Sequence, residues 1–212
     1  MPNWCNNFIT ITGDEKQIRL LTRVINSIEN KNDSNLFMTL VGTSPDVSME
    51  EYNNGAWYKT NIDNWGTKWD VSVNEANIEC GTTCITMHMS TAWSPPIGFG
   101  STLAQRYNVE VELQYEESGC DFAGKTTCRP DGTIDEEDYA YLEGLYRLDN
   151  ECFWNEVVSS IEFSLDDDKT YDEFFADYEL SFVSNKDLNR VKDLFHQQKK
   201  ERESVLILNK NK

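Results

Sequence analysis

An α+β fold, a split β-α-β sheet with helices packed on one face, is predicted by three observations. Segments of period-two alternation bracket two segments whose apolar residues recur at helical spacing. The helical segments are separated by several strand-like runs, as a split β-α-β unit requires. Glycine, proline and asparagine fall at the joints between them.

The first strand is read at Trp4 to Thr12, where Phe8, Thr10 and Thr12 alternate with Ile9 and Ile11 and β-branched residues dominate. Gly13 ends it, and Asp14 with Gln17 forms a capping-box-like start to a helix reaching about Glu29. Ile18, Leu21, Ile25 and Ile28 give that helix its apolar stripe. Residues 30–35 read as a polar loop, and the short apolar run Leu36 to Val41 reads as a second strand. Met49 to Tyr52 opens a helix that Asn53, Asn54 and Gly55 interrupt, followed by a cluster of Trp57, Tyr58, Ile62 and Trp65. Lys68 to Val73, Ala76 to Glu79 and Cys84 to Ala92 read as strands. Ser94-Pro95-Pro96 closes the sheet and starts a helix carrying Ile97, Phe99, Leu103 and Tyr107, because proline is tolerated in a helix's first turn. Val109, Val111, Leu113 and Tyr115 then alternate with Glu110, Glu112, Gln114 and Glu116, the pattern of a half-buried strand. Asp121 to Arg129 is a return strand closed by Pro130-Asp131-Gly132.

The last third changes character. We place a domain boundary at 130/131, with residues 131–212 an acidic, mainly helical extension ending in a basic tail. Thr133 to Asn150 reads as helix, Asp166-Asp167-Asp168 as a solvated turn, and Leu188, Val191, Leu194 and Phe195 as a final helix. Residues 131–185 hold seventeen Asp and Glu against Arg147 and Lys169 alone, within a chain of net charge −18. Such a block repels phosphate backbones, which argues against direct nucleic-acid binding. Apolar residues make up 39% of the chain and aromatics 12%, too much for a wholly disordered protein. No run of about 18 apolar residues is present, so no membrane helix is expected. The N-terminus lacks a basic patch followed by an apolar stretch, so the expected location is the cytoplasm of the host cell.

Four segments resemble the YubB-like family of phage and plasmid proteins. They are Met1-Pro2-Asn3-Trp4-Cys5-Asn6-Asn7, then Asn64-Trp65-Gly66-Thr67-Lys68-Trp69-Asp70, Thr91-Ala92-Trp93-Ser94-Pro95-Pro96 and Asp121-Phe122-Ala123-Gly124, in order across residues 1–124. The resemblance implies a ferredoxin-like α+β domain, a fold name that carries no iron–sulfur cluster, and an accessory gene of a mobile element. It brings no catalytic residues with it.

The chemistry of the side chains points to binding. No phosphate loop, dinucleotide fingerprint or nucleophile elbow is present. The six cysteines have irregular spacing and His88 has no second histidine near it in sequence, so free thiols, no metal and no cofactor are expected. Cys80 and Cys84 flank one candidate hairpin turn, and Cys120 and Cys128 a second. A Cys120–His88 nucleophile pair has no motif behind it.

Two candidate surfaces follow. One is acidic: Asp135, Glu136, Glu137 and Asp138, with Asp166, Asp167 and Asp168, interleaved with aromatics and suited to the basic surface of a host protein. The other is a tryptophan-rich pocket of Trp4, Asn6, Trp65, Trp69, Trp93 and Asp121, suited to a flat, nucleotide-like ligand. The expected function is an accessory protein that binds and inhibits a host factor, with a factor of host defence as the expected target. A small-ligand module is the alternative and an uncharacterised enzyme the third.

Overall fold

The computed structural model describes residues 2–29, 35–43, 46–178 and 180–210, with the side chains of Glu29 and residues 206–210 excluded. Most of the polar loop read at 30–35 lies outside these residues. The chain forms two compact units, Met1–Tyr141 and Leu142–Lys212. The boundary read at 130/131 differs from this division by one strand, which belongs to the first unit.

The first unit contains β1 (Trp4–Thr12), α1 (Glu15–Glu29), α2 (Leu36–Leu40), α3 (Met49–Glu51), α4 (Trp57–Trp65), β2 (Asn77–Cys80), β3 (Cys84–Ala92), α5 (Ile97–Tyr107), β4 (Glu110–Glu117), β5 (Phe122–Cys128) and β6 (Ile134–Tyr139). The sheet order is β2-β3-β1-β4-β5-β6, antiparallel throughout. The first four strands are joined as two split β-α-β crossovers, β1-α1-β2 around β3 and β3-α5-β4 around β1.

Register explains why both crossover helices share a face. Ile9 stands between Met87 and Leu113, and Ile11 between Ile85 and Val111, so these side chains lie on one side of the pleat. They form a single core with Ile18, Leu21, Ile25 and Ile28 of α1 and Phe99 and Leu103 of α5. The stripe read from the α1 sequence is therefore the buried one, each of its four residues at most 1% exposed. The predicted α+β class, with helices on one face and a helical C-terminal region, is the architecture observed.

Three local readings need correction. Leu36–Leu40 is the helix α2, not a strand. Its first turn is held from afar: the Asp70 carboxylate accepts from the backbone N–H of Phe37 (2.7 Å) and Met38 (2.8 Å). A five-residue apolar run cannot signal a helix whose capping group lies more than 30 residues from the groups it caps. Lys68 to Val73 is not a strand either. It makes one isolated bridge, Ser72 to Asn35, because Asp70 also accepts from Val71 N–H and turns the chain.

Thr133 to Asn150 is the third. It divides into β6 and α6 (Tyr141–Leu148). The turn at Pro130-Asp131-Gly132, with Gly132 at φ 87° and Arg129 N–H donating to Thr133 carbonyl (2.9 Å), folds residues 134–139 back along β5. Apolar periodicity could not show this, since five of the six residues in β6 are exposed on both faces.

The second unit contains most of α6, then α7 (Asn150–Asp166), α8 (Tyr171–Asp177) and α9 (Asn185–Lys210). Its core is Leu145, Phe153, Val157, Ile161, Leu165, Phe174, Val191 and Phe195. Several aromatics of the acidic block are thus structural, while Phe163 and Phe175 remain on the surface. Among the described residues no helix is long and apolar enough to cross a membrane.

None of the six cysteines is in a disulfide. Cys80 and Cys84 flank the β2–β3 turn as expected. Cys120 lies in the β4–β5 turn, whereas Cys128 ends β5, so this pair does not flank a turn. Burial pushes the thiols of Cys5 and Cys128 up, to about 12 and about 11. Ellman's reagent at neutral pH should therefore modify the exposed Cys80 and Cys152 promptly, Cys120 more slowly because the Glu117 carboxylate pushes its thiol up, and Cys5 and Cys128 only on unfolding. Prompt modification of all six would contradict this packing.

Candidate partner-binding surface

The side of the sheet opposite the helices is open, and the pleat decides what it shows. Phe8 and Thr10 of β1 align with His88 and Thr86 of β3 on one flank and with Gln114 and Glu112 of β4 on the other. The Phe8 and His88 rings lie against each other, tilted by 51° with centroids 4.4 Å apart. Continuing outward, Glu112 faces Thr127 and then Asp135, and Gln114 faces Lys125 and then Glu137. Glu79, Glu110 and Glu116 share this side. Six carboxylates therefore meet two cations. Both cations are already engaged: Lys125 with Glu112 (2.7 Å), Arg129 with Asp135 (2.5 Å) and more loosely with Glu110 (3.6 Å). The open face keeps a negative excess across several strands.

The four acids of β6 do not form one patch. Asp135 and Glu137 join the open face, while Glu136 and Asp138 point to the helix side, where the Tyr115 hydroxyl donates to Asp138 (2.6 Å). β6 is also one of the sheet's two edge strands. Asp166, Asp167 and Asp168 belong to the second unit, at the C-terminal end of α7. Asp166 pairs with Arg202 (2.6 Å), and Asp168 has φ 56°. Carboxylates are disfavoured at a helix C-terminus, and Asn is comfortable in the left-handed region. Asp168→Asn should leave stability unchanged or raise it by about 0.5 kcal/mol in urea unfolding. A loss above about 1 kcal/mol would mean the turn depends on that carboxylate.

The tryptophan-rich set separates into core and rim. Trp65 is 1% exposed, its Nε1–H donates to the Gly42 carbonyl (2.9 Å), and its ring meets Phe37 edge-on. Trp4, Trp69 and Trp93 are 52%, 38% and 46% exposed. Trp4 touches Trp69, with centroids 6.2 Å apart. Asn6 accepts from Ser90 and donates to Glu116 on the open face, and Asp121 accepts from Tyr141 N–H. Trp65 is thus core, while the other three tryptophans are surface residues.

The polar residues of the four sequence segments are spent on stitching the fold. Asn7 donates to the Cys5 carbonyl (2.8 Å) and to Thr91 (2.9 Å). Thr67 donates to the Ala92 carbonyl, Ser94 to the Gly66 carbonyl, and Trp93 N–H to the Asn3 carbonyl. Asn3 reaches Glu117 and Cys120 at the β4–β5 turn. Gly98 packs so closely on α4 that a Cβ there would lie 2.5 Å from the Asn64 carbonyl oxygen, so Gly98 to Ser101 is a packing contact. Segments distant in sequence therefore meet at one end of the sheet and leave three tryptophans at its rim.

Residues 68–152 match the family model of the ferredoxin-like domain in Api92-like protein. That match begins ahead of β2 and runs through β6 into α7. Among solved structures, the chain is similar to the crystal structure of protein Api92 from Yersinia pseudotuberculosis, at 9% identity over 66% of this chain and 99% of that one, with a TM-score of 0.42. No curated protein matches the chain. The ferredoxin-like reading of the sequence thus agrees with the matched segment.

The nucleophile pair finds little chemical support. The Glu117 carboxylate beside Cys120 pushes its thiol up, away from the thiolate that attack requires. Glu117 itself is held below its ordinary value by the Cys120 thiol and by the backbone N–H groups of Gly119 and Cys120. It acts as the anchor of the β4–β5 turn.

Sequence reasoning missed the open face as a unit. The signal was there in β4, whose four outward side chains are Glu110, Glu112, Gln114 and Glu116. The addition of Asp135 and Glu137 to it depends on a strand pairing that local sequence does not show.

Proposed function

We propose that this protein binds a host protein through its acidic open sheet face and edge strand, and inhibits it by occupying a basic surface. The observation that carries the reading is the negative excess of that face, with both of its cations already neutralised. Carboxylates on an exposed sheet steer a basic partner and select against acidic ones. The paired Phe8 and His88 rings and the rim tryptophans add the aromatic contact area that anchors protein interfaces. The four-segment resemblance to the YubB-like family supports an accessory protein of a phage or plasmid, acting in the host cytoplasm, with a defence factor as target.

Affinity capture from host lysate at low and high salt identifies the partner, and the same capture with β6 neutralised tests the surface. A basic protein retained by the native chain at low salt and lost with the variant supports the reading. Equal retention by both chains refutes it. The small-ligand alternative loses Trp65 to the core, and its case passes to a groove beside Trp69.

A further inference from the structure

The outward edge of β6 can be read residue by residue. Arg129 N–H donates to the Thr133 carbonyl, and these two residues continue the register that sets Cys128 opposite Ile134. Hydrogen-bonded pairs alternate along an antiparallel ladder, so Asp135, Glu137 and Tyr139 turn their backbone groups toward β5. The backbone N–H and C=O of Ile134, Glu136 and Asp138 therefore point away from the sheet. The bonds from Gly13 N–H to the Thr83 carbonyl and from Trp93 N–H to the Asn3 carbonyl give the same phase when carried across the sheet strand by strand. No strand among the described residues pairs with this edge. Open edges are commonly blunted by proline, lysine or a bulge. β6 has none of these: its six residues keep an unbroken register with β5, and Ile134 is 40% exposed. The opposite edge, β2, is four residues long and turns only Ile78 and Cys80 outward.

The side chains decide what can add there. Asp135 and Glu137 stand on the open face, Glu136 and Asp138 on the helix side. Of the four, only Asp135 is in an ion pair among the described residues, with Arg129. Glu137 and Asp138 accept from the hydroxyls of Tyr139 and Tyr115, which carry no charge. A second copy of β6 would set carboxylates opposite carboxylates on both faces, which destabilises a strand pair. A strand bearing Lys or Arg would meet a carboxylate on either face. We propose that the partner docks by adding an extended, Lys- or Arg-bearing segment of its own to the edge of β6, bonded to the main chain of Ile134, Glu136 and Asp138. In strand addition the main chain supplies affinity and the alternate side chains supply specificity. This inference rests on the acidic-face reading and states how the basic partner is held.

The test uses the full chain and a short synthetic peptide in which Lys alternates with Val and Thr, beside a copy with Glu in place of Lys. Amide hydrogen exchange followed by NMR reads the edge. In the free chain the amides of Ile134, Glu136 and Asp138 should exchange faster than those of Asp135 and Glu137. The Lys peptide should slow the three outward amides about tenfold or more, and the Glu peptide should leave them unchanged. Two variants separate strand addition from charge alone. Glu136→Gln and Glu136→Pro remove the same carboxylate, but only proline removes the outward N–H, at a position where an edge strand tolerates it. The Lys peptide should bind the first about twofold less tightly and the second about tenfold less tightly. Circular dichroism checks that the proline variant folds; if it does not, exchange in the native chain decides alone. Peptide binding that leaves the outward amides unprotected would overturn strand addition while the acidic-face reading stands. No binding of the Lys peptide at low salt would also overturn it, and capture from lysate then tests the face separately. Protection of these amides by raised protein concentration alone would make a second copy the occupant, and that too would overturn the proposal.

Discussion

Replacing Trp65 by Ala should cost the first unit about 3–5 kcal/mol, the range for deleting a buried large aromatic. The ring is 1% exposed, packs edge-on against Phe37 at 5.7 Å, and satisfies the Gly42 carbonyl through Nε1. Its removal leaves a cavity and an unpaired carbonyl together. Trp93 should behave in the opposite way. It is 46% exposed and sits at φ 74°, a conformation costly for a bulky side chain. Trp93→Ala should change stability by less than about 1 kcal/mol, and Trp93→Gly should raise it. Urea unfolding of the three variants followed by circular dichroism decides the matter. Equal losses for Trp65→Ala and Trp93→Ala would show that the division into core and rim is wrong.

Neutralising β6, with Asp135 and Asp138 changed to Asn and Glu136 and Glu137 to Gln, should slow association with a basic partner about tenfold at low salt. Electrostatic steering raises on-rates by about 10 to 10³, and this strand supplies part of the field. Folding should tolerate the change. Asp138→Asn keeps an acceptor for Tyr115, and Arg129, half-buried, still has Glu110 beside it after Asp135→Asn. Neighbouring like charges also repel in the native strand. The competing account is that acids on an edge strand prevent chain-to-chain pairing. It predicts unchanged partner association and new self-association at high protein concentration.

What could be read from sequence was what local contacts determine. The α1 stripe of Ile18, Leu21, Ile25 and Ile28 and the β4 alternation around Val111 and Leu113 both correspond to buried faces. Helix α2 was hidden because its cap, Asp70, comes from elsewhere in the chain. β6 was hidden because an edge strand exposed on both faces carries no apolar period, and its acids resemble a solvated helix. The tryptophans show a third limit. Trp65 and Trp69 lie four residues apart, yet one is core and the other rim, since α4 ends at Gly66 with φ 86° and the chain changes direction between them. The polar neighbours that suggested a pocket, Asn6 and Asp121, are instead engaged with Ser90, Glu116 and Tyr141.

The central claim is that the acidic open face meets a basic partner. Its most direct test is the association rate of the captured partner, measured by stopped flow from about 20 to 500 mM salt, for the native chain and the β6-neutralised variant. The Debye length shrinks from roughly 20 Å to 4 Å over that range, so exposed charges are progressively screened. The account predicts a steep fall in rate with salt for the native chain, a shallower fall for the variant, and convergence of the two at the highest salt. Parallel curves, in a variant that unfolds at the same urea concentration as the native chain, would contradict it.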